Sequence, residues 1–353
     1  MNCRNCGKPI LPHYRVCPHC GTELRMQCAS CGREIKSEYD FCAYCGAKIV
    51  EASKPVVEVA PTRVTFTELF INGLSSLNPF KQTEQFQKVT DVVYRKRSPH
   101  SPVNIYLFLG IGMAIVFLLL DYTTEWLSNM SMTLIGFIAP IIYFVWMYRN
   151  DRYEKEPLSL IVFLASWGII SAFIAGYLNS YIIIPLLGAP GAAFTEEPLK
   201  AVGVYWLARH KRHGDEFNDH LDGMVYGSAV GAGFAGSENF YYIYRYVMEG
   251  IPLTEIALIR SIAALGHLVY TGLIGRVLGV AKVRRGKILL TDLLAALPAG
   301  IIPHFVWNTF PDFFGLTGIL ILYVVYAYVF SKNIVAAQRD EERWNFKVYA
   351  PLE

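Results

Sequence analysis

Apolar runs close to 20 residues long recur along most of this 353-residue chain, and they decide what it can fold into. Such a run matches the roughly 20 helical residues that cross the hydrocarbon core of a bilayer. Eight stand out, at 104–121, 130–148, 158–184, 190–208, 221–244, 254–280, 288–309 and 315–331. Hydrocarbon offers the backbone no hydrogen-bond partners, so segments like these satisfy themselves as helices. Charged residues make up 17% of the chain, against roughly 25% in soluble domains. A net charge of +3 is too small to point to nucleic acid, and none is expected as a partner. The reading is an all-α polytopic membrane protein of about eight transmembrane helices, with the lipid bilayer as its solvent.

The loops between the runs alternate in basic residues. Arg95, Lys96 and Arg97 precede the first run; 122–129 has no Lys or Arg; 149–157 has Arg149, Arg152 and Lys155; 185–189 has none. Arg209, Lys211 and Arg212 follow the fourth run, Arg245 alone follows the fifth, and Lys282, Arg284, Arg285 and Lys287 follow the sixth. Loop 310–314 has none, and the tail carries Lys332, Arg339, Arg343 and Lys347. Basic loops stay in the cytoplasm, so this predicts a multi-pass cell-membrane protein with both termini cytoplasmic. The membrane domain spans 99–335, and 336–353 is a cytoplasmic tail.

The first 50 residues are a different object. All eight cysteines lie there, as two C-x2-C-x10-C-x2-C units: Cys3, Cys6, Cys17 and Cys20, then Cys28, Cys31, Cys42 and Cys45. Gly7, Gly21, Gly32 and Gly46 follow the second cysteine of each pair, where a knuckle must fold back to aim both sulfurs at one ion. Four thiolates per unit suit one tetrahedral zinc each, and no secretory signal argues for a disulfide framework instead. The expectation is a tandem zinc-ribbon module, 1–25 and 26–50, with two structural zinc sites. Units of about 25 residues have little core, so metal supplies the folding energy. The module resembles the double zinc ribbons of many bacterial and archaeal proteins, which implies binding or regulation and a cytoplasmic protein partner. Residues 51–98 connect it to the membrane: a linker over 51–63, then a mixed segment that can lie on the membrane surface as an amphipathic helix.

Ionisable residues at membrane depth are costly and mark cavities or sites. Here they fall in four successive spans. The fourth holds Glu196, Glu197 and Lys200 in "TEEPLK"; the fifth holds Asp222 near its start and Glu238 in "GSENF"; the sixth holds Arg260 and His267; the seventh holds His304 and Asn308. Arg276 and Asp292 lie about one turn from cytoplasmic ends and are expected to reach the interface. At about 1.5 Å of rise per residue, Glu196, Glu238 and His304 lie roughly 8–10 Å below the outer ends of their spans, and His267 roughly 20 Å. The glycines of "GSAVGAGFAG" predict close helix packing.

Two histidines with carboxylates from separate helices are the ligand set of a catalytic zinc with an open position. His267, His304 and one carboxylate, Glu238 or a member of the Glu196/Glu197 pair, would hold it. The remaining glutamate of the pair would take a proton from water and hand it to a leaving amine. Lys200, one turn from both glutamates, would offset the cost of burying them, and Asn308 would assist an oxyanion. Pro198 suits the first turn of a helix, so a broken stretch at "LLGAPGAAF" is expected before the glutamates.

These residues carry a family resemblance. "DRYEKEPL" (151–158), "EEPLK" (196–200), "DGMVYG" to "GFAGSEN" (222–239), "GHLVYTG" (266–272) and "PHFVWN" (303–308) occur in order across most of the membrane domain. The set resembles the PrsW family of intramembrane proteases, a distant relative of the CAAX-protease and bacteriocin-processing family. The resemblance implies hydrolysis of membrane-anchored proteins, such as anti-sigma-factor-like regulators, near the extracytoplasmic face. It carries Glu196, Glu197, Glu238, His267 and His304 over as site residues. The related prenyl-protease branch has a histidine where Glu238 stands. Two other readings compete. One is a metal-free glutamate protease, and the other a non-enzymatic membrane sensor or transporter.

Overall fold

The computed structural model describes residues 26–27, 31, 34–35, 64–81, 128–151 and 155–343. The chain divides into two compact units, 1–59 with 341–353, and 60–340. In the first, β1 (Met26–Gln27) pairs antiparallel with β2 (Glu34–Ile35), Met26 opposite Ile35. In sequence, Cys28 and Cys31 lie between the two strands. Cys31 is exposed; the other seven cysteines, the expected span at 104–121, the linker 51–63 and the tail beyond 343 lie outside the described residues.

The second unit is helical: α1 (Phe66–Leu77), α2 (Ser128–Asn150), α3 (Leu158–Leu178), α4 (Ile184–Leu187), α5 (Ala193–Arg209), α6 (His220–Met248), α7 (Leu253–Arg285), α8 (Leu290–Ala296) and α9 (Pro298–Arg343). Among the described residues, four stretches are long and apolar enough to cross a membrane: Ser131–Asn150, Leu158–Leu187, Leu253–Arg285 and Leu290–Glu341. Of the eight expected, the run at 104–121 lies outside the described residues, and the others differ for physical reasons. Helix α5 has only 17 residues. Helix α6 has 29, but glycines and charges dilute its hydropathy. The last two expected spans form one stretch of 52 residues, broken at Gly315, whose φ of +53° suits a residue without Cβ.

Helix α6 is the hub, with α2, α3, α5 and α7 all packed on it, and every residue from His220 to Ser237 is buried. Its glycines let α7 approach backbone to backbone. A Cβ on Gly275 would stand 1.9 Å from the Gly223 carbonyl oxygen, and one on Gly231 would stand 2.4 Å from that of His267. An Asp219–Asp222 capping box starts α6: the Asp219 side chain accepts from the Leu221 and Asp222 amides, and Asp222 accepts from the Asp219 amide.

Helix α1 follows a Thr65–Glu68 capping box and buries Leu69, Asn72, Gly73 and Ser76. Its Asn72 accepts a 2.8 Å bond from Arg276, and Asn333 donates to the Ser76 carbonyl at 3.0 Å. Arg276 therefore does not reach an interface as expected; it is buried against α1. Asp292 is buried as well, paired with Arg285 and capping the Leu289 amide at 2.7 Å.

Candidate active site

Three local features set the glutamates in place. Helix α3 ends in a π-helical turn, Asn179–Ile183, a feature frequent at functional sites. The chain breaks at Gly188, makes a 3-10 turn over Ala189–Ala192, and enters α5 at Ala193, as "LLGAPGAAF" predicts. Pro198 is the sixth residue of α5 rather than in its first turn, so it leaves the Phe194 carbonyl without its i+4 donor. Trp167 of α3 packs on Gly203 and donates to the Leu199 carbonyl at 3.0 Å, fixing α5 against α3.

Adjacent helix positions point about 100° apart, and the two glutamates face different partners. Glu197 is fully buried and saturated. It forms an ion pair with Lys200, its Oε1 lies 2.8 Å from His304 Nδ1, and Thr271 donates to its Oε2 at 3.3 Å. Glu196 takes a 3.0 Å bond from Asn179 on Oε1, while its buried Oε2 has no hydrogen-bond partner among the described residues. That atom lies 3.8 Å from His304 Nε2 and 4.0 Å from Lys200 Nζ, beyond hydrogen-bond range.

Lys200 is buried, over the Phe234 ring at 4.3 Å, and its Nζ lies 3.2 Å from His267 Nδ1. An ammonium only donates, so Nδ1 accepts and Nε2 carries the proton. Nε2 then donates to Glu238 Oε2 at 2.7 Å. The same oxygen takes a 2.6 Å bond from Arg260, whose Nε donates to Asn239 Oδ1 at 3.0 Å. The backbone of His267 crosses α6 at Gly231, two turns from Glu238, in keeping with its greater expected depth. Side chains lean toward the N-terminus of their own helix, so on antiparallel α6 and α7 these two lean toward each other and close the gap.

The structure thus brings together Glu196, Glu197, Lys200, Glu238, His267 and His304. It leaves Asn308 apart: its amide donates to the Ala189 carbonyl at 3.4 Å, and no described hydrogen bond joins it to the cluster. Asn179, Thr271 and Tyr270 belong to the site and were missed. Tyr270 stacks on His304 at 4.9 Å between ring centroids. Thr271 and Tyr270 stand inside the quoted "GHLVYTG", and Asn179 is the one amide side chain of its apolar run, which is the signal that could have found it. Arg260 was visible but carried no role.

The donor chemistry fits a divalent metal. One ligand atom each from Glu196, Glu197 and His267 lies within 4.8 Å of the others, all three side chains are buried, and the Oε2 of Glu196 is orphaned.

Comparison with known proteins agrees. The family model described as "PrsW family intramembrane metalloprotease" matches residues 156–333. The chain belongs to this family of membrane peptidases. That makes it a multi-pass membrane protein, and the match takes in every residue of the cluster. The model described as "Double zinc ribbon" matches residues 3–46, which contain all eight cysteines, so the N-terminal module is a double zinc ribbon. Curated relatives named Protease PrsW include the following three. The Geobacillus kaustophilus (strain HTA426) protein is 29% identical over 154 residues, covering 41% of this chain and 63% of its own length. The Bacillus subtilis (strain 168) protein is 26% identical over 180 residues, 47% of this chain and 77% of its own. The Oceanobacillus iheyensis (strain DSM 14371 / CIP 107618 / JCM 11309 / KCTC 3954 / HTE831) protein is 31% identical over 194 residues, 50% of this chain and 83% of its own. No solved structure matches.

Proposed function

We propose that this chain is an intramembrane endopeptidase that cuts membrane-anchored proteins near the extracytoplasmic face, as in the first cut of an anti-sigma-factor-like regulator. One observation carries the reading. Three carboxylates, a lysine and two histidines from α5, α6, α7 and α9 converge inside apolar helices, and one carboxylate oxygen, Glu196 Oε2, is left open. Two crossings within Leu290–Glu341, together with α5, α6 and the run at 104–121, would complete eight spans. The alternation of basic loops supports cytoplasmic termini and a cytoplasmic protein partner for the ribbons.

His267, His304 and Glu197 would hold a zinc ion, and His267 and Glu197 would exchange their hydrogen bonds to Lys200 for it. When bound it would polarise the scissile carbonyl and acidify water. The chain's own residues do the rest. Glu196 takes a proton from the attacking water on Oε2 and delivers it to the leaving amine. Asn179 holds the other oxygen of that carboxylate and so fixes its orientation. Lys200 offsets the buried negative charge. Asn308, one turn from His304 on α9, would have to turn from the Ala189 carbonyl to donate to the oxyanion.

The test is a cleavage assay on membrane-anchored candidates with Glu196→Gln, Glu197→Gln and His304→Ala. Loss in all three is expected; three variants that cut like the wild type would overturn the assignment. A metal-free glutamate protease draws support from one observation: both ring nitrogens of His267 already have partners, Lys200 and Glu238. Activity that survives chelation would favour it.

A further inference from the structure

We infer that Arg260 is a positioning residue of this site, acting through Glu238 on His267. The inference rests on the proteolytic reading above. Arg260 lies near the start of α7, seven residues ahead of His267, outside every motif quoted for the family resemblance. Its guanidinium makes a two-point clamp on consecutive residues of α6. One terminal nitrogen donates to Glu238 Oε2 at 2.6 Å and Nε donates to Asn239 Oδ1 at 3.0 Å. The guanidinium carbon sits 4.4 Å from the centre of the Tyr242 ring, one turn further on. Asn239 in turn donates to the Gly136 carbonyl of α2 at 3.0 Å. The clamp therefore ties α7, α6 and α2 together at the level of the site.

Arg260 matters because Glu238 Oε2 has two donors, Arg260 and His267 Nε2. The carboxylate is the only hydrogen-bond partner described for His267 Nε2, and it sets which ring nitrogen carries the proton. With Nε2 protonated, Nδ1 keeps its lone pair for Lys200, the residue paired with Glu197. The chain Arg260–Glu238–His267–Lys200–Glu197 thus runs unbroken from one edge of the cluster to its centre. The side chains of Arg260 and Glu238 are 13% and 21% exposed, while those of Glu197 and Lys200 are fully enclosed. Arg260 also offsets charge: with it, the three carboxylates face two basic side chains, Lys200 and Arg260, instead of one. A lysine could supply the charge but not the planar fork that holds Glu238 and Asn239 at once.

The experiment uses the full chain in liposomes with a membrane-anchored reporter that the wild type is seen to cut. Arg260→Gln is expected to lower kcat by about 10- to 100-fold, the usual effect of losing a group that orients a site histidine. KM should stay near its wild-type value, because the clamp does not touch the substrate. Arg260→Lys is expected to recover part of kcat. Nitrogen-15 spectra of labelled histidines, with His267 assigned from the His267→Gln variant, should show the Nε2-protonated form in the wild type and its loss in Arg260→Gln. Wild-type kcat in Arg260→Gln would overturn the inference. So would equal kcat losses in the Gln and Lys variants that track equal falls in melting temperature. A wild type that cuts no reporter overturns the proteolytic reading instead, and the histidine spectra then judge Arg260 alone.

Discussion

Glu197 Oε1 and His304 Nδ1 meet at 2.8 Å across 107 residues of chain. This contact joins α5 to α9 and leaves Glu197 with no free oxygen, since Lys200 and Thr271 take the rest. Glu197→Gln would leave the Lys200 ammonium enclosed without its close counter-charge. Breaking a buried pair from one side costs about 3–5 kcal/mol. The variant should melt far earlier than the wild type, and Lys200→Met should behave the same way. The double variant should regain stability without regaining cleavage. Melting curves of the three proteins in one detergent make a cycle; strictly additive losses would show that the pair is not coupled.

Glu196 should behave differently. Gln keeps the shape and can still accept from Asn179 on its amide oxygen. It cannot take a proton from water. Glu196→Gln is therefore expected to fall within about 1 kcal/mol of wild-type stability, with cleavage reduced by at least about 100-fold, the lower end of a lost general base. A variant that both melts early and loses cleavage would place Glu196 with Glu197 as a packing residue.

The contrast between the two glutamates was only half legible in sequence. The 3.6-residue period says that neighbours diverge, and the i+3 and i+4 spacing says that Lys200 can reach either one. Which one it reaches depends on Asn179, His304 and Thr271, and these come from helices whose rotation no one-dimensional pattern fixes. The close α6–α7 approach was readable, because glycines four residues apart have little other use in an apolar helix. The burial of Arg276 was not. A long cationic side chain near a span end normally snorkels to water, and only the docking of α1 supplies Asn72 as an alternative partner. Asn308 shares a helix face with His304 by spacing, yet it turns to the Ala189 carbonyl, because the 3-10 turn before α5 lies within reach.

Metal content separates the two kinds of site. The full chain should carry three zinc ions, two in the ribbons and one in the membrane. Cys28→Ser with Cys31→Ser should remove one of them by elemental analysis. His267→Ala with His304→Ala should remove a different one. A closed four-cysteine site folds its own module, so the ribbon variant should leave cleavage in reconstituted protein near wild type unless the ribbons gate it. A count of two in the wild type would mean ribbons alone.

Glu156, just ahead of α3, gives a pH dependence outside the spans. Its side chain is buried, and one oxygen accepts from the Tyr226 hydroxyl. Burial first, then the carboxylates of Asp222 and Asp151, push its pKa well above the usual value of 4.5. A carboxyl raised in the folded protein binds its proton more tightly there than when unfolded. Its contribution to stability is full below about pH 4.5 and is lost as pH climbs toward the folded value. Glu156→Gln keeps an acceptor for Tyr226 and removes the titration. The variant's advantage in melting temperature should therefore grow with pH from about 5 upward. A wild-type and variant difference that stays flat across that range would show that Glu156 is already ionised in the folded protein.

The packing of α6 on α7 sets the frame for all of these residues, and it leaves no room for a methyl group. A Cβ on Gly275 would stand 1.9 Å from the Gly223 carbonyl oxygen, backbone that cannot swing aside as a side chain can. Gly275→Ala must push the two helices apart, and overpacking of this kind costs about 1–3 kcal/mol. Gly250, by contrast, has nothing within 4 Å of its would-be Cβ, but its φ of +88° disfavours any side chain. Gly176 has the same open space without that conformation, so Gly176→Ala is the control. In parallel melts Gly275→Ala should fall by several degrees while Gly176→Ala holds or rises, since alanine is the better helix former. Equal melting temperatures would mean that α6 and α7 can part without cost, and that their side chains rather than their backbones hold the site together.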